Sequence, residues 1–319
     1  MTVHINNNDG QGNSSAPSAD SLAMPTTVAL DSKGGLYVTD RENRRVLYFA
    51  DVASDDTTAD QVYGQFGNFR NNMVNNDGTG AYGEPSADNI SVFTLGLATD
   101  SQGGFYVSDA ASHRVLYFAD DGNTTADRVY GQFDNFSTDA RNNDGAGRLG
   151  TPSASSLNFP RGLLVDSNNG LYVADRDNNR VLYFAADGNT VADRIYGQFG
   201  SFTTNAENND GSGNKGTPSA DSLSHPKSIA LDAQGGLYIS DTMNHRVLYF
   251  APDGDTTADW VFGQYGSLTT GVINNEGTGA TGSPNEQNLN GPQGIVLSSD
   301  RKLYIADTDN NRILVVPLP

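Results

Sequence analysis

Three of the four histidines, His113, His225 and His245, are the first candidates for chemistry in this 319-residue chain. His225 and His245 fall within one copy of a repeated unit, as a pair of imidazole ligands to a metal would. His113 falls two copies away, and no carboxylate stands at a dedicated ligand spacing, so a metal-dependent enzyme is the lesser reading. Arg161 and Lys227 occupy equivalent places in neighbouring copies. Two cations there suit a carboxylate or a sulfated or uronic sugar. Balancing nearby aspartates is their plain alternative. The loops Asn76-Asp77-Gly78, Asn143-Asp144-Gly145, Asn209-Asp210-Gly211 and Asn275-Glu276-Gly277 offer oxygen ligands among glycines. Calcium is conceivable for them. Calcium loops space their carboxylates at alternate residues, however, and one acid followed by glycine reads better as an Asx turn. No cofactor is therefore expected. The chain has no Gly-x-Ser-x-Gly elbow, no phosphate loop and no His-Glu-x-x-His, so those hydrolase and nucleotide chemistries lack support.

What positions these residues is a repeat. Tyr37, Tyr106, Tyr172, Tyr238 and Tyr304 each sit in a Gly-Leu-Tyr-Val-like strand followed by Asp, a polar bend and Arg-Val-Leu-Tyr-Phe or a close variant. The interval is 69 residues once and then 66. A catalytic group is needed once and a structural one in every copy. The pairs Asp40/Arg45, Asp109/Arg114, Asp175/Arg180, Asp241/Arg246 and Asp307/Arg312 are accordingly expected to be intrablade ion pairs or carbonyl-capping arginines. The recurring tyrosines are expected between blades. Positions that differ between copies are the better places for recognition. After the proline that opens each first strand (threonine in the second copy) stand Thr26, Leu95, Arg161, Lys227 and Gln293. Just before the repeated arginine stand Arg44, His113, Asn179, His245 and Asn311. These ten are the candidate ligand-binding residues, with neutral drift at exposed positions as the alternative.

The third copy gives the elements. Short apolar runs at 159–166, 171–174, 180–184 and 194–199 are separated by Asn-Gly and Asp-Gly turns and one polar bend, which predicts four antiparallel strands. About 24 residues of insertion then lead to the next copy. Five such units from end to end predict an all-β, five-bladed β-propeller of four-stranded blades as a single domain, residues 1–319, with long inter-blade loops on one face. The last copy stops after its third strand, and Thr2-Val3-His4-Ile5 is the expected closing strand.

Composition narrows the partners. With 38 acidic and 19 basic residues the formal charge is −19. Such a field repels a phosphate backbone, so nucleic acid is not an expected partner. The absence of cysteine removes disulfides and thiolate chemistry. No apolar run reaches the roughly 18 residues of a membrane span, so membrane insertion is not expected. The sequence as given shows no signal peptide.

The residues Pro160-Arg161-Gly162-Leu163-Leu164-Val165-Asp166, Gly170-Leu171-Tyr172-Val173-Ala174-Asp175 and Asn178-Asn179-Arg180-Val181 resemble the NHL repeat, as does Ile239-Ser240-Asp241 through Arg246-Val247. The resemblance covers all five copies and implies a β-propeller. The long insertion, five copies where six blades are commoner, and the acidic balance depart from the family pattern. Its members include RNA- and protein-binding modules, extracellular sensor domains and a metal-dependent lyase, so the resemblance alone selects no function.

The expectation drawn from the whole is a non-catalytic binding module, not an enzyme, outside the cell or at its surface, that takes a protein or carbohydrate ligand on the loop-rich rim. Two alternatives stand beside it: a metal-assisted lyase or hydrolase at the channel mouth, and a passive repeat segment of a larger surface protein.

Overall fold

The computed structural model describes residues 6–8, 11, 14–53 and 57–318. The described residues form five antiparallel sheets whose strand order follows the chain. The first holds β1 (Pro25–Leu30), β2 (Leu36–Asp40), β3 (Arg45–Phe49) and β4 (Gln61–Tyr63); the second β5 (Thr94–Thr99), β6 (Phe105–Asp109), β7 (Arg114–Phe118) and β8 (Arg128–Tyr130). The third holds β9 (Pro160–Val165), β10 (Leu171–Asp175), β11 (Arg180–Phe184) and β12 (Arg194–Tyr196); the fourth β13 (Pro226–Leu231), β14 (Leu237–Asp241), β15 (Arg246–Phe250) and β16 (Trp260–Phe262). The last has β17 (Pro292–Leu297), β18 (Lys302–Asp307) and β19 (Arg312–Pro317). The chain is an all-β, five-bladed β-propeller. The closing strand expected at residues 2–5 lies outside the described residues. The fourth strand is shorter than expected, because Gln198 leaves the ladder and starts a turn.

By contacts the chain divides into two compact units. One comprises residues 1–150, 155–169 and 188–191; the other 151–154, 170–187 and 192–319. In the first, Tyr37, Val46 and Tyr63 of one blade pack on Leu97, Phe105, Leu116 and Phe118 of the next. The rings of Tyr37 and Phe105 are 4.4 Å apart, and Phe105 stacks on Phe118 at 4.9 Å. In the second, Ala230, Tyr238 and Val247 pack on Ile295, Leu303 and Ile305. Tyr37 and Tyr238 thus lie between blades, as the recurrence of the tyrosine predicts. Burying one such side chain contributes about 1.5–3 kcal/mol.

The repeated Asp/Arg pairs are both ion pairs and carbonyl caps. Arg45 Nε donates to Asp40 Oδ2 at 2.7 Å, its NH1 to Phe69 O and its NH2 to Ser18 O and Ser21 O. Asp40 also accepts Ala23 N and Asn43 Nδ2. Asp241 and Arg246 repeat this pattern, accepting Ser224 N and capping Leu268 O, Ser219 O and Ser222 O. The first four pairs are fully buried, and burial pushes Arg45 below its ordinary pKa against the pull of Asp40. Removing one partner of such a pair costs about 3–5 kcal/mol. Each of the first four hubs ties strands two and three to the connection before the blade and to the insertion after it. The polar bend and the long loop of a blade are thereby held together.

The repeated Gly-Leu-Tyr has a steric origin. A Cβ on Gly35, Gly170 or Gly236 would collide with the ring of Tyr48, Tyr183 or Tyr249 from the third strand. The Tyr48 hydroxyl passes through that space to donate to Asp31 Oδ2 at 2.9 Å.

Candidate functional site

Each polar bend is a three-residue 3-10 turn closed by one left-handed residue: Arg44, His113, Asn179, His245 or Asn311, with φ between 51° and 54°. Asn and His enter this region more readily than most residues. Their side chains then reach the following blade. His113 Nδ1 accepts the Phe159 N–H at 3.1 Å, Asn179 Oδ1 the His225 N–H at 2.9 Å, and His245 Nδ1 the Gly291 N–H at 3.0 Å. Their main-chain oxygens accept the amide of Gln132, Gln198 and Gln264. In three of the five candidates at this position the variation is therefore between two side chains that supply the same acceptor. Arg44 departs from the pattern, donating through NH1 to Glu42 O and Asn72 O.

The residues after the opening proline are also partly committed. Thr26 donates to Thr94 O at 2.7 Å and lies 2.9 Å from Thr39 Oγ1. Leu95, Arg161, Lys227 and Gln293 are half-buried. Thr26, Leu95, Arg161, Arg44 and His113 belong to the first compact unit, and Asn179, Lys227, His245, Gln293 and Asn311 to the second.

The residue before the opening position varies more. Met24, Phe93, Phe159, His225 and Gly291 all have positive φ, from 51° to 70°. In the first unit Arg41 lies over the Phe93 ring, 4.5 Å from its centre, and Phe93 and Phe159 are 5.9 Å apart. That makes a cation–aromatic patch beside Leu95 and Arg161 in the chain. In the second unit, Arg176, equivalent to Arg41, donates to Asp177 at 2.7 Å, and His225 Nε2 is 4.0 Å from the same carboxylate oxygen. Burial pushes His225 below its usual pKa, with Arg176 adding to the effect. Glu207 is held below the usual carboxylate range by its bond from Lys215. Sequence reasoning missed Arg41, Phe93, Phe159 and Arg176. Their signal is the disagreement between copies directly before the proline and directly after the aspartate.

The Asn-Asp-Gly loops are Asx turns. Asn76 Oδ1 accepts the amides of Gly78 and Gly80, and Asp77 Oδ1 those of Thr79 and Ala81. These oxygens thus serve their own loop. Among the described residues no group of three or more His, Asp or Glu is placed to hold a metal ion. No helix among them is long and apolar enough to cross a membrane.

Five sheets of one strand order, each with the same Asp/Arg hub, define the class, a β-propeller. The NHL repeat family model matches residues 22–49, 157–184 and 289–316, in the first, third and fifth blades, which is consistent with an NHL-repeat β-propeller. None of the curated proteins matches the sequence. Among solved structures, virginiamycin B lyase from Staphylococcus aureus is similar at 14% identity and a TM-score of 0.49, over 95% of this chain and 73% of that one. A catalytically inactive form of that lyase with quinupristin gives the same identity and score, over 92% and 70%. A streptogramin B lyase follows at 12% and 0.49, over 93% and 70%. The expectation that the chain is not an enzyme is corrected by these neighbours, which are enzymes.

Proposed function

We propose that this propeller is a recognition module that takes a protein or carbohydrate ligand on the rim formed by its polar bends and the residues that open its first strands. The observation that supports this most is a fixed backbone carrying unlike side chains. Met24, Phe93, Phe159, His225 and Gly291 share one left-handed conformation yet span thioether, aromatic, imidazole and no side chain at all. Holding a non-glycine residue there costs about 1 kcal/mol or more. Unlike the bend position, where His113, Asn179 and His245 supply one common acceptor, these side chains share no hydrogen-bonding role.

Each unit presents its own chemistry. In the first, Arg41, Phe93 and Phe159, with Leu95 and Arg161 adjoining, offer an aromatic surface and guanidinium donors. In the second, Arg176, Asp177, Glu207 and His225, with Lys227 adjoining, offer paired charges of both signs. The acidic balance of the chain disfavours nucleic acid as the occupant.

The test is a screen of the purified chain against glycans and extracellular protein domains, repeated with Arg41→Ala, Phe93→Ala and Arg176→Ala. A ligand whose binding weakens at least tenfold in one of these variants supports the reading. A ligand bound equally by all three and by the unaltered chain would place recognition elsewhere.

A further inference from the structure

After each fourth strand the chain makes a turn that the sequence does not announce. Gln65, Phe66 and Gly67 have φ of 54°, 53° and 66°, and Gln198, Phe199 and Gly200 have 56°, 52° and 74°: a short left-handed turn. Phe133 and Tyr265 hold the same place and conformation in the other two copies, with φ of 53° and 52°. Left-handed backbone costs about 1–2 kcal/mol per non-glycine residue. For the glutamines a structural reason is plain. Gln65 is buried, and its amide donates to Arg44 O and Met73 O.

The three phenylalanines make no side-chain hydrogen bond, and only the Tyr265 hydroxyl does, accepting from Asn285 Nδ2 at 2.8 Å. The aromatic ring covers the glycine of the nearby Asn-Asp-Gly loop, so that a Cβ on Gly78, Gly145, Gly211 or Gly277 would lie 3.2–3.5 Å from it. Phe66, Phe133, Phe199 and Tyr265 are 42, 41, 45 and 42% exposed as whole residues. An asparagine would adopt this backbone with less strain and would be at home in water. Strain and exposure both oppose an aromatic here, yet all four copies carry one.

We infer that Phe66, Phe133, Phe199 and Tyr265 are stacking platforms for the pyranose rings of a neutral, linear glycan. One face of each ring is fixed on the loop, which leaves the negative π face toward solvent for the partly positive C–H bonds of a sugar. Beside each ring stands an exposed acid, Asp77, Asp144, Asp210 or Glu276, that accepts hydroxyl hydrogens and repels sulfated or uronic sugars. Bonds from its own loop, that from Thr79 first, hold Asp77 below the usual carboxylate range, so it remains an acceptor in mild acid. The recurrence of one small platform every 66 or 67 residues suits a polymer with a repeating unit better than a single protein epitope. Stiff aromatic anchors also lose little conformational entropy on binding. These four residues are not among the rim residues proposed above, and either assignment stands without the other.

The experiment is calorimetric titration of the full chain with cellohexaose, laminarihexaose, xylohexaose and chitohexaose, followed by retention on the matching insoluble polysaccharide. At least one of the four sugars is expected to bind, and Phe66→Asn to lower the binding stoichiometry by one site. Replacing all four aromatics by Asn is expected to reduce retention on the polymer more than tenfold, because linked weak sites multiply. Phe199→Tyr, which keeps the ring, is expected to bind like the parent. If the fourfold variant fails to fold, the stoichiometry of the single variants decides. Failure of all four sugars to bind, or binding unchanged on removal of the rings, would overturn the assignment.

Discussion

Asn208 and Asn244 exchange their side-chain amides across the base of the long loop, each donating to the other at 2.9 and 2.7 Å. Asn7 with Asn43 and Asn274 with Asn310 repeat the exchange. In the second blade the bend carries Ser112 where the others have asparagine, and the buried Oδ1 of Asn75 is left with no hydrogen-bond partner. Ser112→Asn is predicted to restore the pair and stabilise the protein by about 1 kcal/mol. Urea unfolding of the variant checks this, and an unchanged or lowered midpoint would show that the site cannot take the larger amide.

His245 offers a prediction about acid. Its Nδ1 accepts the Gly291 N–H and must be unprotonated to do so, and burial holds its pKa below the ordinary 6.5. The unfolded chain therefore binds the proton first as pH falls, so this group's contribution is complete above about 6.5 and is lost progressively below it. His225, depressed in the same direction by burial, adds to the trend. His245→Asn, the residue that holds this place at Asn179, is predicted to keep the contact and reduce the loss of stability between pH 7 and 5. Thermal melts at the two pH values measure it. An equal loss in parent and variant would remove His245 from the account.

Val28 and Leu97 hold equivalent places in the first strands of two blades, paired to Val38 and Val107. Val28 is 62% exposed and Leu97 only 7%. Leu97→Lys is predicted to cost at least about 3 kcal/mol by burying an amine in the Tyr37–Phe105 interface. Val28→Lys is predicted to stay within about 0.5 kcal/mol of the parent. Comparable losses from both, measured by chemical denaturation, would show that the exposed face of β1 is covered in solution.

The scaffold was readable because its parts recur. Period, alternation and turn chemistry located the strands, and the fivefold Asp/Arg pair identified itself as structural before its contacts were known. The site was less readable, because a difference between copies has two sources. His113, Asn179 and His245 differ in name yet each supplies one acceptor to the next blade, and no spacing in the chain reveals that equivalence. Arg41 and Phe93 come together only through the fold, 52 positions apart in the chain, so neither marks the other in the sequence. The apolar run 194–199 predicts a strand through Phe199, but the chain turns left-handed at Gln198, whose buried amide bonds Asn179 O and Ala206 O.

The account turns on the rim being the surface that recognises. The most direct measurement is the dissociation constant of the ligand recovered by screening, taken for the parent, for Phe93→Ala and Arg176→Ala on the rim, and for Val28→Lys away from it. The account predicts at least tenfold weaker binding from a rim substitution, unchanged binding from Val28→Lys, and melting temperatures that do not track the losses. Equal affinity across all four proteins would contradict it.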